Sequence, residues 1–327
     1  MVTLSDTLRP SGALADAGRP APLVCGDDGH DGGDGGIGGI GGDGGDGGNG
    51  GNGGNGRHSG SGAVAANRSA ATAAPTSRTD PAAPLRILHR DEAVVAIDKP
   101  AGLLVHRSAL DAHELHNALH QMQAQLGMPL WTVHRLDKAT SGVLLLARSA
   151  AAARALAAAF EAGQVRKRYL ALVRGWPPAA GTIDQPLARD PERPSAGQPR
   201  VPARTDFTRL ACFEWPFGDG RHASSRYALV EVQPLTGRRH QIRRHFKHIA
   251  HPLVGDSTHG KGAHNRAVAH WLGCGRLWLH ALALELPAAA AGAALRVQAT
   301  PGPEWSPLLA PLPDPGSPRG GSALRLD

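Results

Sequence analysis

Glycine and apolar residues are distributed so unevenly along this chain that only part of it can build a hydrophobic core. More than half of the 43 glycines precede residue 64, and residues 26–62 consist largely of Gly-Gly-Asp, Gly-Gly-Asn and Gly-Gly-Ile units. Such a segment buries too little apolar surface to offset the entropy that ordering costs. Apolar runs of strand or helix length begin only near Leu85. We therefore predict a low-complexity, disordered tail over residues 1–84, a folded domain over residues 85–300, and a Pro- and Gly-rich tail over residues 301–327.

The glycine-rich segment has one structured alternative, a calcium-binding β-roll. That repeat combines Gly-Gly-x-Gly-x-Asp with a large apolar residue at a regular position. Residues 26–62 contain two large apolar residues, Ile37 and Ile40, and the later units contain none. We therefore expect a flexible tail and not a calcium roll.

From residue 85 onward, apolar periodicity and turn residues predict short strands and helices. Strands are predicted at residues 86–90, 93–97, 131–133, 143–147, 164–173 and 225–232, and helices at residues 117–126, 150–162 and 241–249. Their order is irregular, and it lacks the repeated strand–helix–strand unit and the Gly-rich turn of a dinucleotide-binding fold. We therefore expect an α+β fold.

The chain is basic, with a formal net charge of +7 and a sequence pI of about 9.9. A basic face favours a polyanionic partner, and nucleic acid is the leading candidate, although an Arg-rich composition alone also produces basic surfaces. The first twenty residues lack the continuous apolar segment of a signal peptide, and no stretch approaches the roughly 20 apolar residues of a membrane span. We expect a cytoplasmic protein that does not associate with membranes.

One polar stretch, HRLDKATSG at residues 134–142, lies between two predicted apolar strands. A loop held by a rigid scaffold is a common place for a reactive side chain. Its carboxylate, Asp137, has Arg135 and Lys138 as neighbours, and nearby cations favour the ionised form that a nucleophile or a base requires. The same residues also fit an aspartate that merely caps a turn.

Several sequence motifs resemble those of the RluA family of pseudouridine synthases. They are AIDKPAGLLVH at residues 96–106, HRLD followed by TSG, KRY at residues 167–169, GRRHQIRRH at residues 237–245, HPLVGD at residues 251–256 and LHA at residues 279–281. The similarity spans about residues 85–290. It implies the pseudouridine synthase fold, a mixed, mostly antiparallel bent sheet flanked by helices with a central catalytic cleft.

The resemblance also implies roles for individual residues. Asp137 matches the aspartate that begins the isomerisation of uridine, Tyr169 the tyrosine that stacks on the target base, and Arg243 the arginine that pairs with the catalytic aspartate. Arg135 matches an arginine that enters the RNA stack where the target base has been flipped out. Without the resemblance, Tyr169 would be read as packing and Arg243 as one more phosphate contact. The residues expected to bind RNA are Arg135, Lys138, Arg238, Arg239, Arg244 and Lys247.

Pseudouridine formation replaces the N1–C1′ glycosidic bond of uridine with a C5–C1′ bond, so no cofactor is expected. The carboxylate either attacks C1′ or takes the C2′ proton to give a glycal, and the sequence leaves both routes open. Histidines spaced three apart could share a helix face and bind a metal. These are His240, His245, His248 and His251, but no carboxylate or cysteine completes a familiar ligand spacing, so we expect no metal.

Residues 105–108, 236–260 and 276–281 are particularly similar to the branch of the family that modifies uridine 65 of tRNA. We therefore expect tRNA as the partner and a monomer without an obligate protein partner. A 23S ribosomal RNA pseudouridine synthase would share the same catalytic residues and remains the first alternative. A catalytically silent RNA-binding protein is a further alternative. Another is a glycosidase or nucleoside hydrolase, but such an enzyme would need a second acid close to Asp137, whose neighbours are basic.

Overall fold

The computed structural model describes residues 83–106, 116–218 and 222–310. The predicted N-terminal tail lies outside the described residues except for its last two positions, and so does the C-terminal segment from residue 311 onward. Ordered structure continues past residue 300, where the composition predicts a tail. A 3₁₀ turn at Pro303–Trp305 leads into a short helix, and Trp305 is fully buried in the core of the domain.

The strands, in chain order, are β1 (Arg86–Arg90), β2 (Val94–Lys99), β3 (Trp131–Thr132), β4 (Ser141–Ala147), β5 (Arg166–Arg174), β6 (Ala180–Asp184), β7 (Leu187–Ala188), β8 (Arg200–Val201), β9 (Arg204–Trp215), β10 (Ser225–Pro234), β11 (Leu279–Leu286) and β12 (Leu295–Gln298). The helices are α1 (Ala118–Leu126), α2 (Ala150–Glu161), α3 (Gln241–His248), α4 (Gly262–Leu272), α5 (Ala288–Ala291) and α6 (Ser306–Leu309).

Within the described residues, ten strands form one sheet, in the order β1-β2-β4-β11-β5-β10-β9-β6. Two further strands join its middle, because β3 pairs with β4 and β12 pairs with β11. The β4–β11 pair is parallel and the other neighbours are antiparallel. The short strands β7 and β8 form a separate hairpin. The mixed, mostly antiparallel sheet with helices confirms the predicted α+β class.

The boundaries of the first two helices follow from local chemistry. Asn117 precedes α1 and its side chain accepts a hydrogen bond from the backbone N–H of His120, while α1 ends at Gly127 in a left-handed conformation. Ser149 caps α2 in the same way by accepting from the N–H of Ala152. Such caps satisfy backbone donors that a helix start leaves without an intrahelical acceptor.

Both faces of the sheet are buried. In β2, Val94 and Val95 are fully buried but belong to different hydrophobic clusters, because successive strand residues point to opposite faces. Helix α2 covers one face of this half of the sheet and α1 covers the other. In the other half, α4 and α3 cover the two faces. Tyr169 of β5 packs against one cluster from each half, which places it where the halves meet.

Candidate active site

Asp137 lies in the loop between β3 and β4, in the stretch that the sequence analysis singled out. The N–H of Thr140 donates to the carbonyl of Asp137 at 3.0 Å, which closes a turn after it. Gly142 then lets β4 pass close to β11. It has a φ of 104°, and a Cβ at this position would overlap the carbonyl oxygen of Ala281. The glycine therefore allows the parallel pairing that fixes the end of the loop.

Lys99, at the end of β2, is hydrogen-bonded to the same loop. Its ammonium donates to the carbonyl oxygens of Pro100, Leu103 and Lys138 at 2.9, 2.8 and 3.2 Å. The side chain is buried, and burial lowers the pKa of Lys99 to about 7, although the nearby Asp137 carboxylate acts in the opposite direction. The residue that follows Asp137 is thus tied to the DKPAG motif through a buried lysine.

Arg243, in the first turn of α3, faces Asp137 across the cleft. Its Nη1 donates to Oδ2 of Asp137 at 2.9 Å. The helix directs this side chain inward because Ile242 and Phe246 pack against the sheet. The side chain of Arg243 is 8% exposed and that of Asp137 is 18% exposed. The resemblance predicted this pairing, and the structure brings the two residues together.

Arg243 also binds a second carboxylate, Asp256. Its Nε and Nη2 donate to Oδ2 and Oδ1 of Asp256 at 2.7 and 2.8 Å. The backbone N–H groups of Thr258 and His259 donate to Oδ1 of Asp256, each at 2.9 Å. Burial raises the pKa of Asp256, but the bonds from Arg243 and His259 outweigh it and hold the pKa below its ordinary value.

The two carboxylates differ in what they can do. Asp256 has a fully buried side chain and accepts four hydrogen bonds, so it has no room for a substrate. Asp137 is partly exposed, and within the described part of the chain its Oδ1 accepts no hydrogen bond. Asp137 is therefore the carboxylate of this cluster that is able to react.

His240 stands beside this pair. It has a φ of 53°, a left-handed conformation that is uncommon for a residue with a side chain. Its Nε2 lies 3.8 Å from Oδ2 of Asp137, and its Nδ1 lies 3.4 Å from Nε2 of His259. Burial lowers the pKa of His240 to about 4, which outweighs the opposite effect of Asp137, and Arg243 and His259 lower it further.

Two cavities meet at Asp137. The first has a volume of about 500 Å³ and contains Tyr169 and Lys167, and the second, of about 620 Å³, contains Lys138 and Arg276. Both are lined by one shared set of residues: Arg135, Leu136, Asp137, Arg239, His240 and Arg243. A carboxylate at the junction of two cavities is accessible from either side.

Tyr169 forms part of the wall of the first cavity. Burial raises the pKa of its phenol, and the negative charge of Asp137 raises it further, so the hydroxyl stays neutral. The neighbouring Lys167 donates to the carbonyl of Thr236 at 3.0 Å, and burial lowers its pKa to about 8. The structure therefore places an aromatic ring and the carboxylate in one cavity, as the resemblance predicted.

The predicted RNA-binding residues occupy different environments. Arg135, Lys138, Arg238 and Lys247 are exposed. Arg239 forms an ion pair with Glu192, and Arg244 donates to the carbonyl of Ala188 at 2.9 Å. Arg238 also has a partner, because its Nε donates to the carbonyl of Pro202 at 3.0 Å. These three arginines are therefore engaged within the protein, and Arg239 and Glu192 both line the second cavity.

Three residues of the site were given no catalytic role by the sequence analysis. Asp256 was quoted within HPLVGD, Lys99 within AIDKPAGLLVH, and His240 was weighed only as a metal ligand. A lysine at the end of an apolar strand and an aspartate directly after a glycine were the available signals. Neither signal identifies a partner, because residue type and position in the sequence do not show which groups are buried together.

Of the four histidines weighed as ligands, two are engaged elsewhere. His245 is within 2.9 Å of the Thr205 hydroxyl and 3.0 Å of the Gln185 carbonyl, and His251 lies 2.8 Å from the Arg174 carbonyl. Among the residues that the structure describes, no group of three histidine, cysteine or acidic side chains is arranged to hold a metal ion.

Comparison with known proteins gives the family. The RNA pseudouridylate synthase model matches residues 93–248. The tRNA pseudouridine synthase C of Yersinia pestis is 44% identical over 233 residues, which cover 69% of this chain and 90% of that protein. The chain belongs to the RNA pseudouridylate synthase family. A second relative, tRNA pseudouridine synthase C of Salmonella typhi, is 43% identical over 230 residues, covering 69% of this chain and 88% of that protein.

Solved structures agree with this assignment. Human RNA pseudouridylate synthase domain containing 1 superposes with a TM-score of 0.54 at 28% identity, covering 70% of this chain and 87% of that one. Human RNA pseudouridylate synthase domain containing 4 superposes with a TM-score of 0.52 at 28% identity, and the match covers 69% of this chain and 92% of that one. The predicted pseudouridine synthase fold and the predicted enzyme class are thus confirmed: the chain is an isomerase that converts uridine in RNA to pseudouridine. Its described helices are all too short or too polar to cross a membrane.

Proposed function

We propose that this pseudouridine synthase modifies uridine 65 of tRNA and that Asp137 is its reacting carboxylate. One observation carries the assignment of the residue: Asp137 is bound by the buried Arg243 and yet remains open to both cavities. A carboxylate that is oriented on one oxygen and accessible on the other is what attack or proton abstraction at a sugar requires.

Reaction at C1′ or C2′ requires the target nucleotide to leave the helical stack, because neither atom is accessible to a protein carboxylate inside a duplex. The ring of Tyr169 lines the first cavity beside Asp137, so we assign it as the surface on which the flipped uracil stacks. Its neutral hydroxyl adds no charge that would repel the uracil as the glycosidic bond breaks.

Arg243 orients Asp137 and stabilises its negative charge through the bond from Nη1. From this position, Asp137 either attacks C1′ or removes the proton on C2′. In both routes the N1–C1′ bond breaks and the uracil takes the electron pair. The detached base then turns so that C5 faces C1′. In the first route the bond between Asp137 and C1′ breaks as C5 bonds to C1′; in the second, Asp137 returns the proton to C2′ as C5 bonds to C1′. In both routes C5 then loses its proton and Asp137 regains its negative charge.

We assign RNA binding to the basic residues around the two cavities. Arg135 is exposed and lines both cavities, which suits an arginine that fills the space left by the flipped base. Lys138 and Lys247 have exposed side chains that can contact phosphates. Arg238, Arg239 and Arg244 have partners within the protein. RNA phosphates would compete for them with the Pro202 carbonyl, with Glu192 and with the Ala188 carbonyl, respectively.

The choice of tRNA is supported by the relatives, both of which are named tRNA pseudouridine synthase C. Position 65 is supported by the motifs around residues 105–108, 236–260 and 276–281. Ribosomal RNA is the alternative substrate with the same chemistry. We further propose that the enzyme works as a monomer in the cytoplasm, where its substrate is.

The test is to incubate the purified protein with unmodified tRNA and, separately, with ribosomal RNA fragments, and then to map carbodiimide-dependent stops of reverse transcription. A new stop at tRNA position 65 that is absent with Asp137→Asn supports both substrate and residue. Stops confined to ribosomal RNA would overturn the proposed substrate and leave the chemistry intact. Stops that persist with Asp137→Asn would overturn the assignment of the carboxylate.

A further inference from the structure

Arg243 carries one positive charge and faces two carboxylates. Three of its nitrogens are engaged, with Nε and Nη2 bound to Asp256 and Nη1 bound to Asp137. Its side chain is 8% exposed, and that of Asp256 is fully buried. Two bonds to Asp256 fix the plane of the guanidinium, because a bidentate arginine–carboxylate pair has a defined geometry. The direction in which Nη1 points is therefore set by Asp256.

The position of Asp256 is itself fixed by the fold. The side chain of Asn265, in α4, accepts from the N–H of Gly255 at 2.9 Å and donates to the carbonyl of Asp256 at 3.0 Å. Gly255 has a φ of 79°, and a Cβ there would overlap the carbonyl oxygen of Arg276. Asp256 is thus held through its backbone by one helix and through its side chain by four hydrogen bonds.

The charge of Asp137 changes during the reaction. If Asp137 attacks C1′, it becomes a neutral ester as the N1–C1′ electron pair moves to the uracil. If it takes the C2′ proton, it becomes a neutral acid while a C1′=C2′ double bond forms and the uracil departs. In either case Arg243 loses its charged partner in the cleft. A buried guanidinium without a counter-charge is costly, so a single Arg–Asp pair would oppose the reaction that it prepares.

Asp256 removes this difficulty because it keeps its charge throughout. It is enclosed and hydrogen-bonded on every side, and so it does not react. We propose that Asp256 is a positioning residue of the isomerisation: it aims Arg243 at Asp137 and neutralises Arg243 while Asp137 loses its charge. This inference rests on the proposed role of Asp137, and it assigns Asp256 no contact with the substrate.

The first measurement compares single-turnover kinetics of the wild type, Asp256→Asn and Arg243→Lys on the same tRNA. Asparagine removes the charge, and the single ammonium of lysine cannot hold Asp256 in a bidentate pair and reach Asp137 as well. We expect each variant to lose about 100-fold in the rate of the chemical step, while the concentration that gives half the maximal single-turnover rate changes by less than about threefold, as for misplacement of a reacting group. A rate equal to that of the wild type in Arg243→Lys would overturn the proposal, even if Asp256→Asn failed to fold.

The double variant Asp256→Asn with Arg243→Lys separates positioning from general support of the structure. If Asp256 acts through Arg243, the double variant is slower than Arg243→Lys alone by no more than about twofold. Independent roles would instead multiply the two losses, and that result would contradict the proposal.

A matched control is available at Arg168, which makes another bidentate pair, with Glu231, at 3.1 and 2.7 Å. Arg168 precedes Tyr169 in β5, so its side chain points to the opposite face of the sheet. Glu231→Gln is expected to keep turnover within about twofold of the wild type, since it breaks a similar pair outside the site. The variant Asp137→Asn separates failure of the proposed function from failure of the role of Asp256. Turnover by Asp137→Asn would reject the proposed function. If Asp137→Asn is inactive and Asp256→Asn is fully active, only the role of Asp256 is rejected.

Discussion

Nη1 of Arg243 donates a 2.9 Å hydrogen bond to Oδ2 of Asp137, although the two residues are 106 positions apart in the chain. The segments that contain them pack against different halves of the sheet. Leu136, next to Asp137, packs with β2 and β4, and Ile242, next to Arg243, packs with β5 and β10. The ion pair therefore spans the cleft between the halves, and the geometry of the site depends on how the whole sheet is assembled.

Loss of Arg243 should destabilise the protein as well as inactivate it. Arg243→Met leaves Asp256 buried without its bidentate partner, and removal of one member of a buried pair costs about 3–5 kcal/mol. We expect a loss of this order in the free energy of unfolding, measured by urea denaturation. The double variant Arg243→Met with Asp256→Leu removes both charges and should recover most of the stability while remaining inactive. Unchanged stability in Arg243→Met would show that Asp256 is more hydrated than the structure indicates.

Lys99 predicts a dependence of stability on pH. Its pKa in the folded protein is about 7, compared with an ordinary value of 10.5. Between these values the unfolded chain binds one more proton than the folded protein, so the free energy of unfolding rises with pH across this window. The slope is at most about 1.4 kcal/mol per pH unit. Below about pH 7 both states are charged, and this dependence ends.

Lys99→Met should flatten this rise, because methionine does not titrate. The measurement is urea denaturation at roughly pH 7 and 9.5 for the wild type, Lys99→Met and, as a control, Lys261→Met at an exposed lysine. The control should keep the pH dependence of the wild type. An equal rise in Lys99→Met and in the wild type would mean that Lys99 stays protonated across this range.

His240 should be neutral at physiological pH. Burial lowers its pKa to about 4, and the cations around it act in the same direction. A neutral imidazole does not compete with Arg243 as the cation that binds Asp137. In NMR spectra of the free protein, the ring signal that disappears in His240→Asn should titrate with a midpoint near 4. A midpoint at or above the ordinary value of 6.5 would make His240 a second cation of the site.

The glycine-rich segment should be dispensable for catalysis. This expectation rests on the composition of residues 1–80 and on the resemblance, which begins near residue 85. A variant that starts at residue 81 should keep turnover within about twofold of the full chain and should unfold at a similar denaturant concentration. A large rise in KM would instead show that the segment binds RNA.

Local pattern predicted much of the fold. The helix expected at residues 117–126 is α1 (Ala118–Leu126), and the basic helix expected at residues 241–249 is α3 (Gln241–His248). The region from β6 to β9 was not assigned. In β9 only some alternate positions are buried, and a register shift opposite Leu229 and Val230 interrupts the alternation that identifies a strand. The parallel pairing of β4 with β11 is a long-range contact that local periodicity cannot reveal.

The residues of the site were likewise predictable in part. Asp137, Tyr169 and Arg243 were identified from motifs, and the structure places them around one cavity. The bond of Arg243 to Asp256 could not be derived from residue types, because several other arginines and carboxylates were equally available in the sequence. The structure shows the pairing through burial, because Arg243 and Asp256 are among the few charged residues of the described chain that are almost fully enclosed.

Our proposal assigns Asp137 as the carboxylate that reacts in pseudouridine formation. Its most direct test uses tRNA labelled with tritium at C5 of uridine, because the hydrogen on C5 is released when C5 bonds to C1′. Wild-type protein should release tritium from this tRNA, and Asp137→Asn should bind the same tRNA with unchanged affinity and release none. Release of tritium by Asp137→Asn at the rate of the wild type would contradict the account.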